Sequence, residues 1–310
     1  MERVAIIGAT GPAGLHLARI LNRDGLAARL VARRAPALDA VGRITGGEWR
    51  TGDARDVNSL LAAIDGCDWL VDCIGLPAEQ MHEHPLTARS IAEVMRRRQV
   101  PALQVSSYWS YLPAIRLPID ETHPRSGGSR PVQLRREAED ILLDAGATVA
   151  QLPDFFGPHV HASSLQQALA AAAAGKAMPW LGGPDVAREY VYLPDAMRSV
   201  ARLLGRADIA GERFIVPGSG PLSGREAAAI IGRHLQRPVK LRTAGTKLLR
   251  LMSLVIADLR SFLPMVPYYV APIAFDGAKL ERLIGPVMRT EYDAALAQTI
   301  DWLRQQRASR

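Results

Sequence analysis

The sequence predicts an α/β fold, a doubly wound parallel sheet followed by a smaller C-terminal lobe, and three observations carry that prediction. Short β-like runs at 4–7, 28–32, 49–52, 69–74, 103–106 and 148–152 alternate with helical patterns at 14–23, 57–64, 85–99 and 134–144. Glycines mark the first strand-to-helix turn, in Gly8-Ala9-Thr10-Gly11-Pro12-Ala13-Gly14. The 310 residues, 48% of them hydrophobic, suffice for one large core or for a sheet domain with a second lobe. Strands separated by helices pair in parallel through right-handed crossovers.

The first strand, Val4-Ala5-Ile6-Ile7, is a continuous apolar run, as a strand covered on both faces requires. In the turn that follows, Gly8 takes tight-turn angles, Gly11 lets main-chain N–H groups approach phosphates, and Gly14 lets the helix pack close to the strand. The spacing is G-x-x-G-x-x-G, one residue longer between the first two glycines than G-x-G-x-x-G. Strand, turn and helix start in this order predict a Rossmann-type dinucleotide site, with Thr10, Pro12 and Ala13 completing the cradle. At the end of the second strand, residues 28–34 hold no acid to accept from a ribose 2′-OH. Arg33 and Arg34 instead offer guanidinium groups suited to a 2′-phosphate, so the expected cofactor is NADP(H) rather than NAD(H).

Beyond Pro153 the alternation loosens. Helical patterns at 163–174, 194–204 and 224–235 and strand-like runs at 189–193 and 213–216 predict a lobe interleaved with the sheet. The expected division is 1–153 for the NAD(P)-binding domain and 154–310 for a substrate lobe. The stretch 112–131, rich in Pro and Gly, reads as a long loop of the kind that forms lids or binding loops.

Composition narrows the partners. The formal net charge of +7 suits an anionic ligand, but the basic residues are scattered and aromatics make up only 5%, which argues against a nucleic-acid platform. Cys67 and Cys73 are too few for a disulfide framework, and a reducing compartment is expected. Met1-Glu2-Arg3 runs directly into the first strand, with no charged segment and apolar core of a signal peptide. The apolar stretch 248–257 is interrupted by Arg250 and too short to span a bilayer. A cytoplasmic protein without stable membrane insertion follows as the expectation. Trp180, Met252, Met265, Tyr268 and Tyr269 supply either core packing or the wall of an apolar pocket. His159-Val160-His161 points two imidazoles the same way, but no third ligand stands at suitable spacing, so no metal site is expected.

Several further motifs, in order, resemble the extended and atypical short-chain dehydrogenase/reductase superfamily, in particular its NAD-dependent epimerase/dehydratase-like members. Thr51-Gly52-Asp53-Ala54-Arg55-Asp56 is similar to the segment that contacts adenine, which implies Asp53 and Ala54 as cofactor contacts. Asp68 to Gly75 resembles the fourth strand, with Ile74 and Gly75 over the adenosine ribose. Val105-Ser106-Ser107-Tyr108-Trp109-Ser110-Tyr111 resembles the segment carrying the catalytic serine, which implies Ser107 in that role with Ser106 beside the cofactor. Pro153-Asp154-Phe155-Phe156-Gly157-Pro158 is similar to the stretch bordering the nicotinamide and substrate, and Arg188 to Asp195 to the strand that helps close the site. The resemblance implies a small-molecule substrate and leaves a homodimer open.

One family element is missing. Counting back from Glu137-Ala138-Glu139 places Arg135 at the lysine of Tyr-x-x-x-Lys and Pro131 at the tyrosine. In the family that tyrosine moves a proton at the substrate oxygen while the lysine lowers its pKa and holds the nicotinamide ribose. Proline has no proton to give, and an arginine is too basic for general acid or base work. The candidate catalytic residues are therefore Ser107, Arg135, and Tyr108 or Tyr111 as phenolic donors. His123, Asp154, His159 and His161 are further proton-transfer candidates. Asp154, Phe155, Phe156, His159 and Arg188 are the candidate substrate contacts. The leading expectation is an NADP(H)-dependent oxidoreductase moving hydride to or from a carbonyl, alcohol or related unsaturated small molecule. Two alternatives stay open: a non-catalytic NADP-binding regulatory module, resembling regulators that also lack the tyrosine, and a nucleotide-sugar epimerase or dehydratase with bound NAD.

Overall fold

In the computed structural model the described residues are 2–34, 45–161, 163–245 and 257–308. The apolar run from 248 to 256, with Met252, lies outside them. Seven strands build the main sheet: β1 (Arg3–Ile7), β2 (Ala27–Ala32), β3 (Glu48–Thr51), β4 (Trp69–Asp72), β5 (Ala102–Ser107), β6 (Thr148–Leu152) and, much later in the chain, β10 (Arg213–Ile215). All pair in parallel, in the order β3-β2-β1-β4-β5-β6-β10. The reversal between β1 and β4 is the switch point at which open sheets of this kind bind ligands.

Alternation along β1 divides the core. Val4 and Ile6 face one layer and Ala5 and Ile7 the other, as the period of a strand dictates. On the first face lie α1 (Pro12–Arg23), α6 (Leu193–Ala201) and α10 (Ala278–Ile284), which bury Leu17, Leu21, Met197 and Leu280. The second face carries α2 (Val57–Ala63), α3 (His84–Arg98) and α4 (Arg130–Asp144), through Leu60, Ile91 and Leu142. Each such fully buried side chain is worth roughly 1.5–3 kcal/mol.

The remaining chain forms a second layer against the ends of these strands. Strands β7 (Asp154–Phe156), β9 (Arg188–Tyr192) and β11 (Pro221–Leu222) make a small sheet, and β8 (Met178–Leu181) pairs with β12 (Leu241–Ala244). Helices α5 (Ser164–Ala173), α7 (Gly224–Leu235) and α11 (Tyr292–Ala308) close a separate core around Phe156, Trp180 and Tyr292. Two short helices, α8 (Ala257–Phe262) and α9 (Val266–Tyr269), lead into the segment 270–276. Trp180, Met265 and Tyr269 are buried in these cores, and Tyr268 packs against them partly buried.

Three local features depart from the sequence expectation. Strand β4 ends at Asp72, not at 74, because Asp72 Oδ1 accepts from the Ile74 N–H and turns the chain. Helix α4 begins at Arg130, so Pro131 belongs to its first turn, where the missing N–H costs nothing. The stretch after Tyr111 is not a loose lid. Ile119 is buried and pairs with the segment 274–276 through Ile119 N–H to Ala274 O and Asp276 N–H to Ile119 O, both 2.8 Å. Glu121 then accepts from the Ile215 N–H at 2.8 Å, which satisfies the exposed edge of β10.

Candidate cofactor and active site

A cleft of about 340 Å³ opens at the C-terminal ends of β1, β2, β4 and β5. Its floor is the first turn. Gly8 has φ of +78°, and a Cβ there would stand 2.9 Å from the Cys73 carbonyl. A Cβ on Gly14, which sits behind the lining, would stand 2.7 Å from Ala9 Cα. Gly11 caps α1 without a side chain and Pro12 follows it, so no side chain covers the N–H groups of the first turn. Thr10, Gly11, Pro12 and Ala13 line the cleft at this point, and the positive end of α1 meets it. This is a site shaped for a pyrophosphate.

At one end stand Arg33, Asp53, Ala54 and Arg55. Asp53 accepts from Arg55 Nη2 at 2.8 Å and from Arg55 Nε at 3.1 Å, and this contact holds its carboxyl below the usual range. Arg33 has no hydrogen bond or ion pair among the described residues, and its charge acts on Asp53. Arg34 is exposed and outside the lining.

The other end is made by Ile74, Gly75, Ser106, Ser107, Arg135 and Phe155. Ser107 Oγ accepts weakly from the Trp109 N–H at 3.4 Å, leaving its own proton for another acceptor. Ser106 Oγ donates to the buried Glu139, whose other oxygen takes Arg125 at 3.0 Å and Gln151 at 2.8 Å. Arg135 is buried and its Nη2 lies 3.0 Å from His84 Nε2, while its Nε is buried without a partner. An uncommitted guanidinium N–H and an uncapped helix start inside one cleft fit an anionic, hydroxyl-bearing ligand such as a dinucleotide.

Next to this end, but outside the cleft lining, a second polar cluster is buried. Arg188 Nη2 donates to Tyr108 Oη at 2.9 Å, and its guanidinium lies 4.9 Å from the Tyr269 ring centre. Tyr269 Oη donates to Asp154 Oδ1 at 2.9 Å. Burial raises the Asp154 carboxyl above its usual range, against the pull of Arg188 and Tyr269, and raises both phenols. Asp154 Oδ2 and Arg188 Nε are buried without hydrogen-bond partners among the described residues.

The remaining candidates lie elsewhere. Tyr111 is fully buried, donates to Gln151 Oε1 at 2.7 Å, and is removed from the cleft by that network. His123 accepts from the Ile115 N–H at 3.1 Å, inside the 112–131 stretch. His159 packs near Arg19 and His16 of α1 and against Trp302, as His161 does against Trp302; burial lowers His159 to about 4. Pro153 lies outside the lining, and Phe156 is in the core of the second layer. Among the described residues, no group of three or more His, Cys, Asp or Glu converges to hold a metal. No helix among them is long and apolar enough to cross a membrane.

Residues 8–142 match the family model described as NAD(P)H-binding. That stretch is similar to NAD(P)H-binding domains. The fold of the whole chain is that of epimerase/dehydratase structures. It is similar to UDP-glucose 4-epimerase from Bifidobacterium longum, solved with NAD+ and UDP, at 20% identity and a TM-score of 0.80, over 99% of this chain and 100% of that one. It is similar to dTDP-glucose 4,6-dehydratase from Bacillus anthracis, solved with NAD, at 12% identity and a TM-score of 0.82, over 99% and 98%. A nucleoside-diphosphate-sugar epimerase from Pseudomonas aeruginosa matches at 20% identity and a TM-score of 0.79, over 98% of each chain. No curated protein matches in sequence. The matched stretch thus holds the cleft between its first turn and the ends of β2, β4 and β5.

Sequence reasoning did not assign Arg55, Glu83, His84 or Thr87. Arg55 stood inside a quoted motif, two residues past Asp53, but its pairing depends on the turn that aims it. Glu83 and Thr87 line the cleft from the start of α3, and His84 reaches Arg135 across 51 residues of sequence. Nothing in local periodicity signals such a contact.

Proposed function

We propose that this protein is an NADP(H)-dependent oxidoreductase acting on a carbonyl, alcohol or related unsaturated small molecule, with residues 1–153 serving the cofactor and 154–310 the substrate. The observation that carries the cofactor choice is Arg33, which lines the cleft with no hydrogen-bond or ion-pair partner among the described residues. Asp53, the carboxylate on which its charge acts, is engaged by Arg55. Titration with NADPH and NADH, followed by nicotinamide fluorescence, should show tighter binding of NADPH. Arg33→Ala should weaken NADPH by roughly tenfold or more, the worth of a charge-assisted contact to phosphate, and leave NADH nearly unchanged. Tighter binding of NADH by the wild type would sink the choice and favour a nucleotide-sugar epimerase or dehydratase reading, which the NAD-bound relatives support.

When bound, the reduced nicotinamide supplies hydride. Ser107 would hydrogen-bond the substrate oxygen through its hydroxyl without giving up the proton, and Arg135 would present positive charge and N–H donors to the ribose. The proton is assigned to Asp154, which lies outside the lining but next in sequence to the lining residue Phe155. Tyr111 gives its proton to Gln151, His123 is held by Ile115 and Tyr108 Oη accepts from Arg188, whereas Asp154 keeps one carboxyl oxygen without a partner among the described residues and a pKa raised by burial. Asp154→Asn should lower kcat by about 100-fold or more while NADPH binding stays intact. Full turnover by that variant on a carbonyl panel would remove Asp154 from the chemistry, and no turnover by the wild type on carbonyls, alcohols or alkenes would favour the regulatory reading. Two buried, unbridged cysteines agree with a cytoplasmic setting.

A further inference from the structure

The guanidinium at the Ser107 end of the cleft is not held as buried arginines usually are. Arg135 is 8% exposed, yet no carboxylate forms an ion pair with it among the described residues. Its one hydrogen-bond partner among them is an imidazole, with Nη2 lying 3.0 Å from His84 Nε2, and His84 is itself only 2% exposed. Two carboxylates are close enough to act on Arg135 through their charge, and each is satisfied by other groups. Asp72 takes the Ile74 N–H and Gln104, and Glu139 takes Ser106, Arg125 and Gln151.

The chemistry of the contact settles the proton. An arginine has donors only, so the His84 nitrogen facing it must present a lone pair, and the ring must be neutral. Burial and the neighbouring guanidinium both drive His84 down, to about 2, so it stays neutral throughout the physiological range. A neutral acceptor orients the guanidinium without cancelling its charge, as an aspartate or glutamate at the same place would. One N–H is fixed by His84, and Nε is left buried, without a partner, in a side chain that lines the cleft. The anchor also ties α3 to α4. Glu83 and Thr87, on either side of His84, line the same cleft, and Thr87 Oγ1 donates to the His84 carbonyl at 2.9 Å.

We infer that His84 is a positioning residue for the cofactor: its neutral imidazole sets the rotamer of Arg135, so that the guanidinium meets the nicotinamide-side ribose with its full charge. The inference rests on the NADP(H) reading above. It assigns to the pair His84 and Arg135 the holding function that a cation at the end of this cleft performs, and it places the determinant on a different helix from the cation. The effect is confined to the nicotinamide half to the extent that Glu83, beside His84 and paired with Arg55 at 3.5 Å, keeps its place.

That confinement supplies the test. Dissociation constants would be measured for NADPH and for adenosine 2′,5′-bisphosphate, which carries only the adenosine half, against wild type, His84→Leu, His84→Gln and Arg135→Met. His84→Leu should weaken NADPH about tenfold, the worth of one hydrogen bond to a charged group, and leave the bisphosphate within error. Arg135→Met should match it, His84→Gln should recover most of the loss because its amide oxygen accepts, and the double variant should be no weaker than Arg135→Met alone. Should His84→Leu fail to fold, the comparison of His84→Gln with Arg135→Met carries the same test. Equal weakening of both ligands would overturn the inference in favour of a purely structural histidine, and so would unchanged NADPH binding in a folded His84→Leu. Failure of wild type to bind NADPH would instead remove the cofactor reading on which it stands.

Discussion

Single side chains in this protein take their chemistry from burial rather than from type. His84 has an ordinary pKa of 6.5 but is held near 2 inside the fold by burial and Arg135, so it is neutral in the native protein while the unfolded chain binds a proton below about pH 6.5. Its contribution to stability is therefore complete above that pH and is lost progressively as the pH falls towards 2. By pH 5 about 2 kcal/mol should be gone from this residue alone. Thermal denaturation from pH 7.5 to 5 checks this: wild type should lose stability as pH falls, and His84→Gln should show a shallower slope. A residual slope remains from His16 and His159, both also lowered by burial. An identical slope in the variant would place the effect elsewhere. The same reasoning separates the tyrosines. Burial raises Tyr108 and Tyr111 above the ordinary phenol range; Tyr111 gives its proton to Gln151, whereas Tyr108 only accepts, from Arg188.

At the scale of elements, the strand-turn-helix unit of β1 and α1 depends on close backbone approach. The closest approach in it is between Gly14, in the first turn of α1, and the backbone of Ala9. Because the contact is backbone and not a flexible side-chain tip, Gly14→Ala must push α1 away from β1. We expect a loss of about 1–3 kcal/mol in denaturant unfolding together with weaker NADPH binding, because the N–H groups of the α1 start move with the helix. Unchanged stability would show that the turn relaxes without cost. The 112–131 stretch teaches the converse. Its Pro and Gly content reads from sequence as a long lid or binding loop, and Ile119, Glu121 and His123 find partners on the segment 274–276, on β10 and on the loop itself. A loop with its polar groups satisfied at both strand edges is an integral wall of the second layer.

Over the whole molecule, the two halves of the chain share a core. Val191, Leu193, Met197, Phe214 and Leu280 pack with Val4, Ile6, Leu17 and Leu30, and β10 covers the edge of β6. A fragment of residues 1–153 would expose that edge and one face of the sheet. It should show no cooperative thermal transition and should associate through the bare strand, which calorimetry and light scattering would reveal. A sharp transition in a monomeric fragment would mean that the sheet closes without the later chain. What the sequence by itself determined was the architecture of the sheet and the glycine turn that floors the cleft. The strands and helices of the first half, the glycine turn, Arg33, Asp53 and Ser107 are all local signals, written in periodicity or in residues a few positions apart. The tertiary structure alone decided which polar side chains meet. Arg135 with His84, Asp154 with Tyr269, and Arg188 with Tyr108 join residues 51 to 115 positions apart. The physical reason is that hydrophobic burial obeys a period that a sequence displays, whereas a buried polar contact depends on where distant backbones bring two atoms to within 3 Å, and no local pattern encodes that.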